Sequence, residues 1–97
     1  MEDEKVDRLF LRTNCFDCGK VRAVVDFGAV IDDNFRGNFG QELRVYTALS
    51  TAAAKELLQK FGVDGCSVPL LLTFDGAAVE KPKNIITHLR RSGMIAE

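Results

Sequence analysis

The sequence predicts an α/β domain in which a four-stranded mixed sheet carries three helices, in the order βαβαββα. Short apolar or alternating runs, which are typical of strands, take turns with longer segments that repeat at helical spacing. A helix between the first two strands implies a right-handed parallel crossover, and an Asp-Gly dipeptide near the end indicates a β-hairpin. Helices are then expected on both faces of the sheet. With 97 residues, the chain is long enough for one domain, residues 1–97, and too short for two.

The first half of the chain predicts two strands joined by a helix. Asp7–Thr13, "DRLFLRT", is a short apolar run between charges and suits a strand in the middle of the sheet. Cys18–Ile31, "CGKVRAVVDFGAVI", repeats valines near helical spacing and predicts a helix, and the loop "DDNFRGNFGQE" follows it. Glu42–Leu49, "ELRVYTAL", alternates as a second strand. Its two faces are predicted to hold Leu43, Val45 and Thr47 on one side and Arg44, Tyr46 and Ala48 on the other.

The segment "STAAAKELLQKFG" predicts a second helix. Ser50 or Thr51 is a suitable N-cap, because a short hydroxyl side chain accepts a hydrogen bond from an unpaired N–H of the first turn. Gly62 is a suitable end, because glycine adopts the left-handed conformation that follows many helices. The predicted apolar face consists of Ala53, Leu57, Leu58 and Phe61.

The last third predicts a hairpin and a helix. In "SVPLLLTFDGAAVE" the dipeptide Asp75-Gly76 separates two apolar runs and fits a tight turn between antiparallel strands, with Pro69 at the entrance of the first. In "KPKNIITHLRRSGMI" Pro82 suits the first helical position, and Gly93 suits the end. The predicted buried stripe of this helix is Ile85, Ile86 and Leu89.

Composition argues against several classes of partner. The net charge is −1, from 13 basic and 14 acidic residues, whereas nucleic acids and anionic membranes require a clustered basic excess. The longest apolar runs fall short of the roughly 20 residues of a membrane-spanning helix. The start "MEDEK" is acidic, unlike the basic start of a signal peptide, so a cytoplasmic location is expected.

The stretch "RTNCFDCGK" places Cys15 and Cys18 where the first strand gives way to a helix. The pair could serve redox chemistry, form half of a metal site, or belong to the core. In a reducing compartment a closely spaced pair is more typical of catalysis or metal binding than of a structural disulfide. Cys66 has three open interpretations, namely a further reactive thiol, a metal ligand or an inert loop residue. His88 would complete a zinc set but lies mid-helix, so a packed or surface histidine is favoured.

A C-x-x-C motif at the exit of the first strand, in this order of elements, resembles the thioredoxin and glutaredoxin superfamily. The block "AKELLQKFGVDGCSVPLLLTFDGAAVE" resembles the same superfamily in a second place, where a helix ends in an aromatic residue and Gly before a Val-Pro pair, an apolar strand and a turn. The resemblance covers residues 7–91, and the size of the chain is closer to glutaredoxins. It implies a thioredoxin-like fold.

The resemblance also implies roles for individual residues. Cys15 corresponds to the attacking cysteine and Cys18 to the resolving cysteine. Pro69 corresponds to the cis-proline that faces the pair, and Val68 to the residue that offers backbone groups to a bound peptide or to glutathione. Arg12 stands where glutaredoxins often place a lysine that meets a glutathione carboxylate.

The sequence departs from both subfamilies near the motif. The spacer is Phe16-Asp17, where glutaredoxins have Pro-Tyr and thioredoxins have Gly-Pro. Phe16 is either an exposed contact for a partner or a core residue. The strand segment "LFL" offers no counterpart to the buried Asp of thioredoxins, and "EKPKN" replaces the Gly-Gly-Asp of glutaredoxins.

The expected function is that of a small thiol-disulfide oxidoreductase that reduces protein disulfides, acts as a monomer without a bound cofactor, and is recycled by glutathione or a reductase. A helix N-terminus, with Arg12 or Lys20, would favour the thiolate of Cys15, and Asp17 would oppose it. Whatever stabilises the thiolate makes the disulfide a stronger oxidant. We therefore expect a reducing pair, nearer the thioredoxin value of about −270 mV than a strong oxidant near about −120 mV. The alternative is a non-catalytic thioredoxin-like binding module, or a domain that holds a metal or iron-sulfur centre through Cys15, Cys18 and Cys66.

Overall fold

The computed structural model of the chain describes residues 5–28, 40, 42–63 and 67–93. Their elements follow the predicted order of strand, helix, strand, helix, hairpin and helix. The bounds are β1 (Val6–Arg12), α1 (Phe16–Gly28), β2 (Glu42–Ala48), α2 (Thr51–Lys60), β3 (Leu70–Leu72), β4 (Ala78–Glu80) and α3 (Pro82–Arg91). None of these three helices has the length and apolar character needed to cross a bilayer.

The four strands form one mixed sheet in the order β2-β1-β3-β4. β1 is a central strand, parallel to β2 and antiparallel to β3, so that Leu9 lies opposite Val45 on one side and Leu71 on the other. A strand with neighbours on both sides and helices above and below is apolar on both faces, which explains the continuous run "LFL". The predicted central position of this strand is confirmed.

Alternation along the strands produces two hydrophobic cores, one on each face of the sheet. We call the first the α1–α3 core; its buried members are Leu9, Leu11, Cys18, Val21, Val25, Leu71, Ile85 and Leu89. We call the second the α2 core; its buried members are Phe10, Leu58, Val63 and Leu70. Helices therefore cover both faces, as predicted.

Strand β2 shows the predicted alternation of its side chains, but the two faces are covered unevenly. Leu43 packs against the α1–α3 core, but Val45 is 40% exposed and Thr47 is exposed as well. On the opposite face Tyr46 packs among the aromatic rings of the α2 core, and Ala48 is buried. The predicted division of β2 into two faces therefore holds, but the face that begins with Leu43 is exposed from Val45 onward. Among the described strands β2 lies at the edge of the sheet, where helices cover fewer of its positions.

The hairpin is wider than the tight Asp-Gly turn that the sequence indicates. Strands β3 and β4 are joined by residues 73–77, and Thr73 closes this loop with both its backbone and its side chain. The Thr73 N–H donates to the Ala77 carbonyl at 2.8 Å, and the Ala77 N–H donates to Thr73 Oγ1 at 3.0 Å. Gly76 lies within the loop with φ at +92°, a conformation that favours glycine.

Asp7 is fully buried, although the sequence pattern treats it as a charge that flanks the strand. Its Oδ1 accepts a hydrogen bond from the Phe74 N–H at 2.9 Å, and its Oδ2 lies 3.6 Å from His88 Nε2 on α3. By alternation it shares a face with Leu9 and therefore belongs to the α1–α3 side of the sheet. Asp7 lies at the start of β1, at the opposite end of the strand from the cysteine pair, so it is not a counterpart of the buried Asp that thioredoxins place near the resolving cysteine.

Candidate active site

The two cysteines of the motif lie where β1 ends and α1 begins, and they form a disulfide. Their Cα atoms are 5.1 Å apart, within the ordinary range for bonded cysteines. A two-residue spacer allows this because Cys18 lies in the first turn of the helix that follows Cys15. The structure thus joins the pair that the sequence singled out.

Cys15 occupies the N-cap position of α1. Its carbonyl accepts the hydrogen bond from the Gly19 N–H at 2.9 Å, and its Sγ accepts one from the Cys18 N–H at 3.2 Å. This is the pattern of a capping side chain that accepts from the third helical residue, with sulfur in place of oxygen. Because the cysteine starts the helix, α1 begins at Phe16, earlier than the predicted Cys18.

The two sulfur-bearing residues differ in their exposure. Cys18 is only 2% exposed and lies in the α1–α3 core with residues of α1 and α3. Cys15 is half-buried and packs at the edge of the same core. Since an incoming molecule can approach only the more exposed residue, the geometry separates an accessible sulfur from a protected one.

Val68 and Pro69 lie close to the same end of the sheet. The peptide bond between them is cis, which confirms the isomer that the resemblance implies. Leu70 lies opposite Phe10, and this register continued by one residue brings Pro69 level with Leu11, near the end of β1. Val68 is half-buried and contacts the α1–α3 core that Cys15 borders, while Pro69 is buried.

The exposed surface beside Cys15 combines an aromatic ring with two opposite charges. Phe16 is 80% exposed, which decides between its two interpretations in favour of a surface residue. The Lys20 Nζ lies 4.7 Å from the centre of the Phe16 ring and 4.0 Å from Asp17 Oδ1. The charge of Asp17 therefore has a nearby counter-charge, although an exposed pair of this kind contributes little to stability.

Arg12 lies on the other side of the sheet from the buried cysteine. Strand alternation puts it on the face of Phe10, which belongs to the α2 core, whereas Cys18 belongs to the α1–α3 core. Its side chain is half-buried at the end of β1.

Leu49 is a surface residue at this end of the sheet that the sequence did not single out. It follows β2 directly and is 82% exposed. The Thr13 N–H donates to the Ala48 carbonyl at 2.9 Å, and Thr13 Oγ1 donates to the Leu49 carbonyl at 3.3 Å. These bonds tie Leu49 to the segment that leads into Cys15. The sequence could have indicated this location only through the predicted parallel pairing of the two strands, because parallel strands end at the same edge of a sheet.

The described residues contain no group of three or more His, Cys, Asp or Glu side chains arranged to hold a metal ion. His88 packs beside Asp7 near the start of β1, whereas the cysteine pair follows the end of that strand. His88 is therefore too far from Cys15 and Cys18 to bind a zinc ion together with them. Cys66 lies outside the described residues.

Comparison with known protein families, curated proteins and solved structures found no match. The chemistry of the site is therefore inferred from the geometry of its residues.

The geometry at Cys15 favours a thiolate, because its sulfur lies at a helix N-terminus and accepts a hydrogen bond from a backbone N–H. A second sulfur within bonding distance can then attack the first and displace the group that is bound to it, which is the step that thiol-disulfide exchange requires.

Proposed function

We propose that the chain is a small thiol-disulfide oxidoreductase with a thioredoxin-like fold, which uses Cys15 and Cys18 to reduce disulfides in protein substrates. The observation that carries this proposal is the asymmetric pair at the start of α1. Cys15 is accessible and caps the helix through its sulfur, while Cys18 is buried one turn away and bonded to it. The cis peptide before Pro69 and the mixed sheet are compatible with a thioredoxin-like fold.

The reaction begins with the reduced pair. The thiolate of Cys15 attacks one sulfur of the substrate disulfide, so that a bond forms between Cys15 and the substrate while the substrate S–S bond breaks. The departing substrate sulfur takes up a proton. Cys18 then loses its proton and attacks Cys15 Sγ, which releases the second substrate sulfur as a thiol. Two electrons and two protons pass to the substrate, and the Cys15–Cys18 disulfide is left.

Each catalytic residue has a physical basis for its role. The N-terminal end of α1 stabilises the anion on Cys15, because the Cys18 N–H donates to the sulfur and the partial positive charge of the helix lies at this end. Burial disfavours ionisation of Cys18 in the absence of a partner, so Cys18 enters the reaction second. The substrate segment would lie against Phe16 and Val68, beside the accessible sulfur.

The oxidised protein needs an external reductant to complete the cycle. Glutathione or a dithiol reductase supplies the two electrons, and no bound cofactor takes part in the proposal. A cytoplasmic location suits this cycle, because that compartment keeps thiols reduced. We further propose that the protein acts as a monomer.

The test is a thiol-trapping titration of the purified protein, read by mass spectrometry across glutathione and dithiol redox buffers. We expect Cys15 and Cys18 to convert together in a two-electron step between about −200 and −270 mV. A pair that never cycles, or that a bound metal protects from alkylation, would contradict the proposal and favour the binding module or metal-holding domain.

Single-cysteine variants test the order of the two steps. Cys18→Ser should trap a substrate as a mixed disulfide through Cys15, because the second attack is removed. Cys15→Ser should trap no substrate through Cys18, because that thiol is buried. Cys66→Ser is the matched control and should cycle like the unaltered protein. Equal trapping by the Cys15→Ser and Cys18→Ser variants would contradict the assigned roles.

A further inference from the structure

Two large apolar side chains stand out from the surface beside the cysteine pair. Phe16 is 80% exposed and Leu49 is 82% exposed. The other exposed large apolar residues in the described ranges, Val45 and Phe74, are 40% and 36% exposed and are much better covered. Isolated exposed apolar residues are ordinary on protein surfaces, so it is the position of this pair that matters.

Phe16 and Leu49 lie at the same edge of the sheet, where β1 and β2 end. Phe16 begins α1 directly after Cys15. Leu49 is held by the bonds from Thr13 to the backbone of residues 48 and 49. The Arg22 side chain, nearly two turns after Phe16 on α1, donates to Thr47 Oγ1 and so joins the helix to the end of β2. Leu49 therefore lies against the segment that leads into Cys15, and Phe16 follows Cys15 directly.

We propose that Leu49, together with Phe16, determines substrate specificity by contacting an apolar side chain next to the substrate cysteine. The inference rests on the proposed function, since it concerns the substrate that the same site accepts. Attack by Cys15 brings a substrate sulfur within bonding distance, so the residues beside the substrate cysteine are forced against the surface around Cys15. An extended polypeptide with apolar neighbours would remove Leu49 from water at that moment, which favours its reaction.

A small anionic disulfide does not bury the apolar surface of Leu49. Glutathione disulfide is negatively charged and carries no apolar side chain that could cover Leu49. Beside Phe16 the opposite charges of Asp17 and Lys20 offset each other, so this pair adds little net attraction for an anion. The chemistry around Cys15 therefore fits a polypeptide segment with apolar residues rather than a small charged thiol.

The experiment uses the full chain in its reduced form and three disulfide probes. Two are symmetric dimers of short peptides that differ only in the residues beside the cysteine, Leu in one and Ser in the other; the third is glutathione disulfide. Rates of oxidation of the protein are measured by acid quenching and mass spectrometry. The readout is the ratio of the rates for the Leu peptide and the Ser peptide.

We expect Leu49→Gln to lower this ratio about five-fold, because the longer polar side chain offers less apolar surface to the Leu peptide. Leu49→Met should restore the preference, since it keeps an apolar side chain of similar volume. Val45→Thr is the matched control, because it makes another exposed aliphatic residue polar with little change of shape. It should leave the ratio unaltered.

The outcomes separate this inference from the function on which it rests. Exchange with all three probes, but with a ratio that Leu49→Gln does not change, would overturn the specificity role and leave thiol exchange intact. A fall in the ratio for Val45→Thr as large as for Leu49→Gln would also overturn it. Failure of the unaltered protein to react with any of the probes would overturn both proposals.

Discussion

At the scale of single residues, the buried carboxyl group of Asp7 connects three parts of the fold. Its Oδ1 satisfies the Phe74 N–H at the hairpin, and its Oδ2 lies beside His88 on α3. Burial of a polar group is unfavourable unless it finds partners; the Phe74 N–H serves Oδ1, whereas Oδ2 has no hydrogen-bond partner among the described residues. The sequence offered no sign of it, because Asp7 stands at the start of an apolar run, where a charge is usually solvated.

Replacement of Asp7 should reduce the free energy of unfolding by an amount that depends on whether the new side chain can accept the hydrogen bond from the Phe74 N–H. Asp7→Ala leaves the Phe74 N–H without its acceptor and opens a small cavity, and we expect a loss of about 2–4 kcal/mol in the free energy of unfolding. Asp7→Asn keeps an acceptor of the same size and should cost about 1 kcal/mol. Urea unfolding at constant pH measures both values. Equal losses in the two variants would show that the hydrogen bond to Phe74 contributes nothing.

Asp75 gives a prediction on pH dependence. The Thr73 hydroxyl, which donates to its Oδ1, holds the pKa of Asp75 below the ordinary 3.8, although desolvation acts in the opposite direction. Because the folded-state pKa is lowered, this carboxylate stabilises the fold above about pH 4, and its contribution is lost as the pH falls through the folded-state pKa. We expect Thr73→Val to raise the pKa of Asp75, as measured by an NMR titration.

The matched control for this titration is Thr87→Val. Thr87 also donates through its hydroxyl, but to the Lys83 carbonyl at 2.9 Å within α3. The Thr87→Val substitution should leave the pKa of Asp75 unchanged. A shift of similar size in both variants would mean that the Thr73 hydroxyl is not the main cause.

At the scale of secondary structure, local sequence accounts for most of the helix ends. Gly62 and Gly93 adopt positive φ after α2 and α3, as their positions predicted, and Pro82 is the first residue of α3. For the start of α2 the sequence left Ser50 and Thr51 open. The structure selects Ser50, whose Oγ accepts from the Ala53 N–H at 3.1 Å.

The capping bond of α2 can be tested by comparing these two neighbours. Ser50→Ala should cost about 1 kcal/mol in the free energy of unfolding, because the Ala53 N–H loses its acceptor. Thr51→Ala should have little effect or stabilise slightly, because Thr51 is exposed and Ala has the higher helix propensity. Thermal unfolding followed by circular dichroism gives both values. A larger loss for Thr51→Ala than for Ser50→Ala would mean that Thr51, and not Ser50, caps the helix.

At the scale of the whole molecule, β1 organises both the fold and the site. Its odd-numbered residues Leu9 and Leu11 enter the α1–α3 core, and Phe10 enters the α2 core. On the second face the rings of Phe10, Tyr46 and Phe61 lie with centroids 5.3–5.5 Å apart. The cysteine pair therefore follows a strand whose side chains are packed on both faces of the sheet.

The same arrangement explains why the pair is asymmetric. Cys18 faces inward because α1 turns its Val21 side toward the sheet and toward Leu89 of α3. Cys15, one turn earlier, stays at the edge of that core. The exposure of one sulfur and the burial of the other thus follow from how a helix packs on a sheet.

The sequence by itself determined the features that depend on neighbouring residues. Periodicity identified the strands and helices, Pro82, Gly62 and Gly93 marked helix ends, and the C-x-x-C motif located the candidate site at the junction of β1 and α1. These features follow from backbone conformation and hydrogen bonding within a few residues, so a local pattern is enough to predict them.

Only the tertiary structure decided the features that depend on what packs over a position. The burial of Asp7 rests on a hydrogen bond to Phe74 across 67 positions of the chain, and the location of Leu49 rests on one from Thr13 across 36. The exposure of Val45 likewise depends on the edge position of β2 among the described strands. Alternation along a strand predicts which side chains share a face, but not whether another element covers that face.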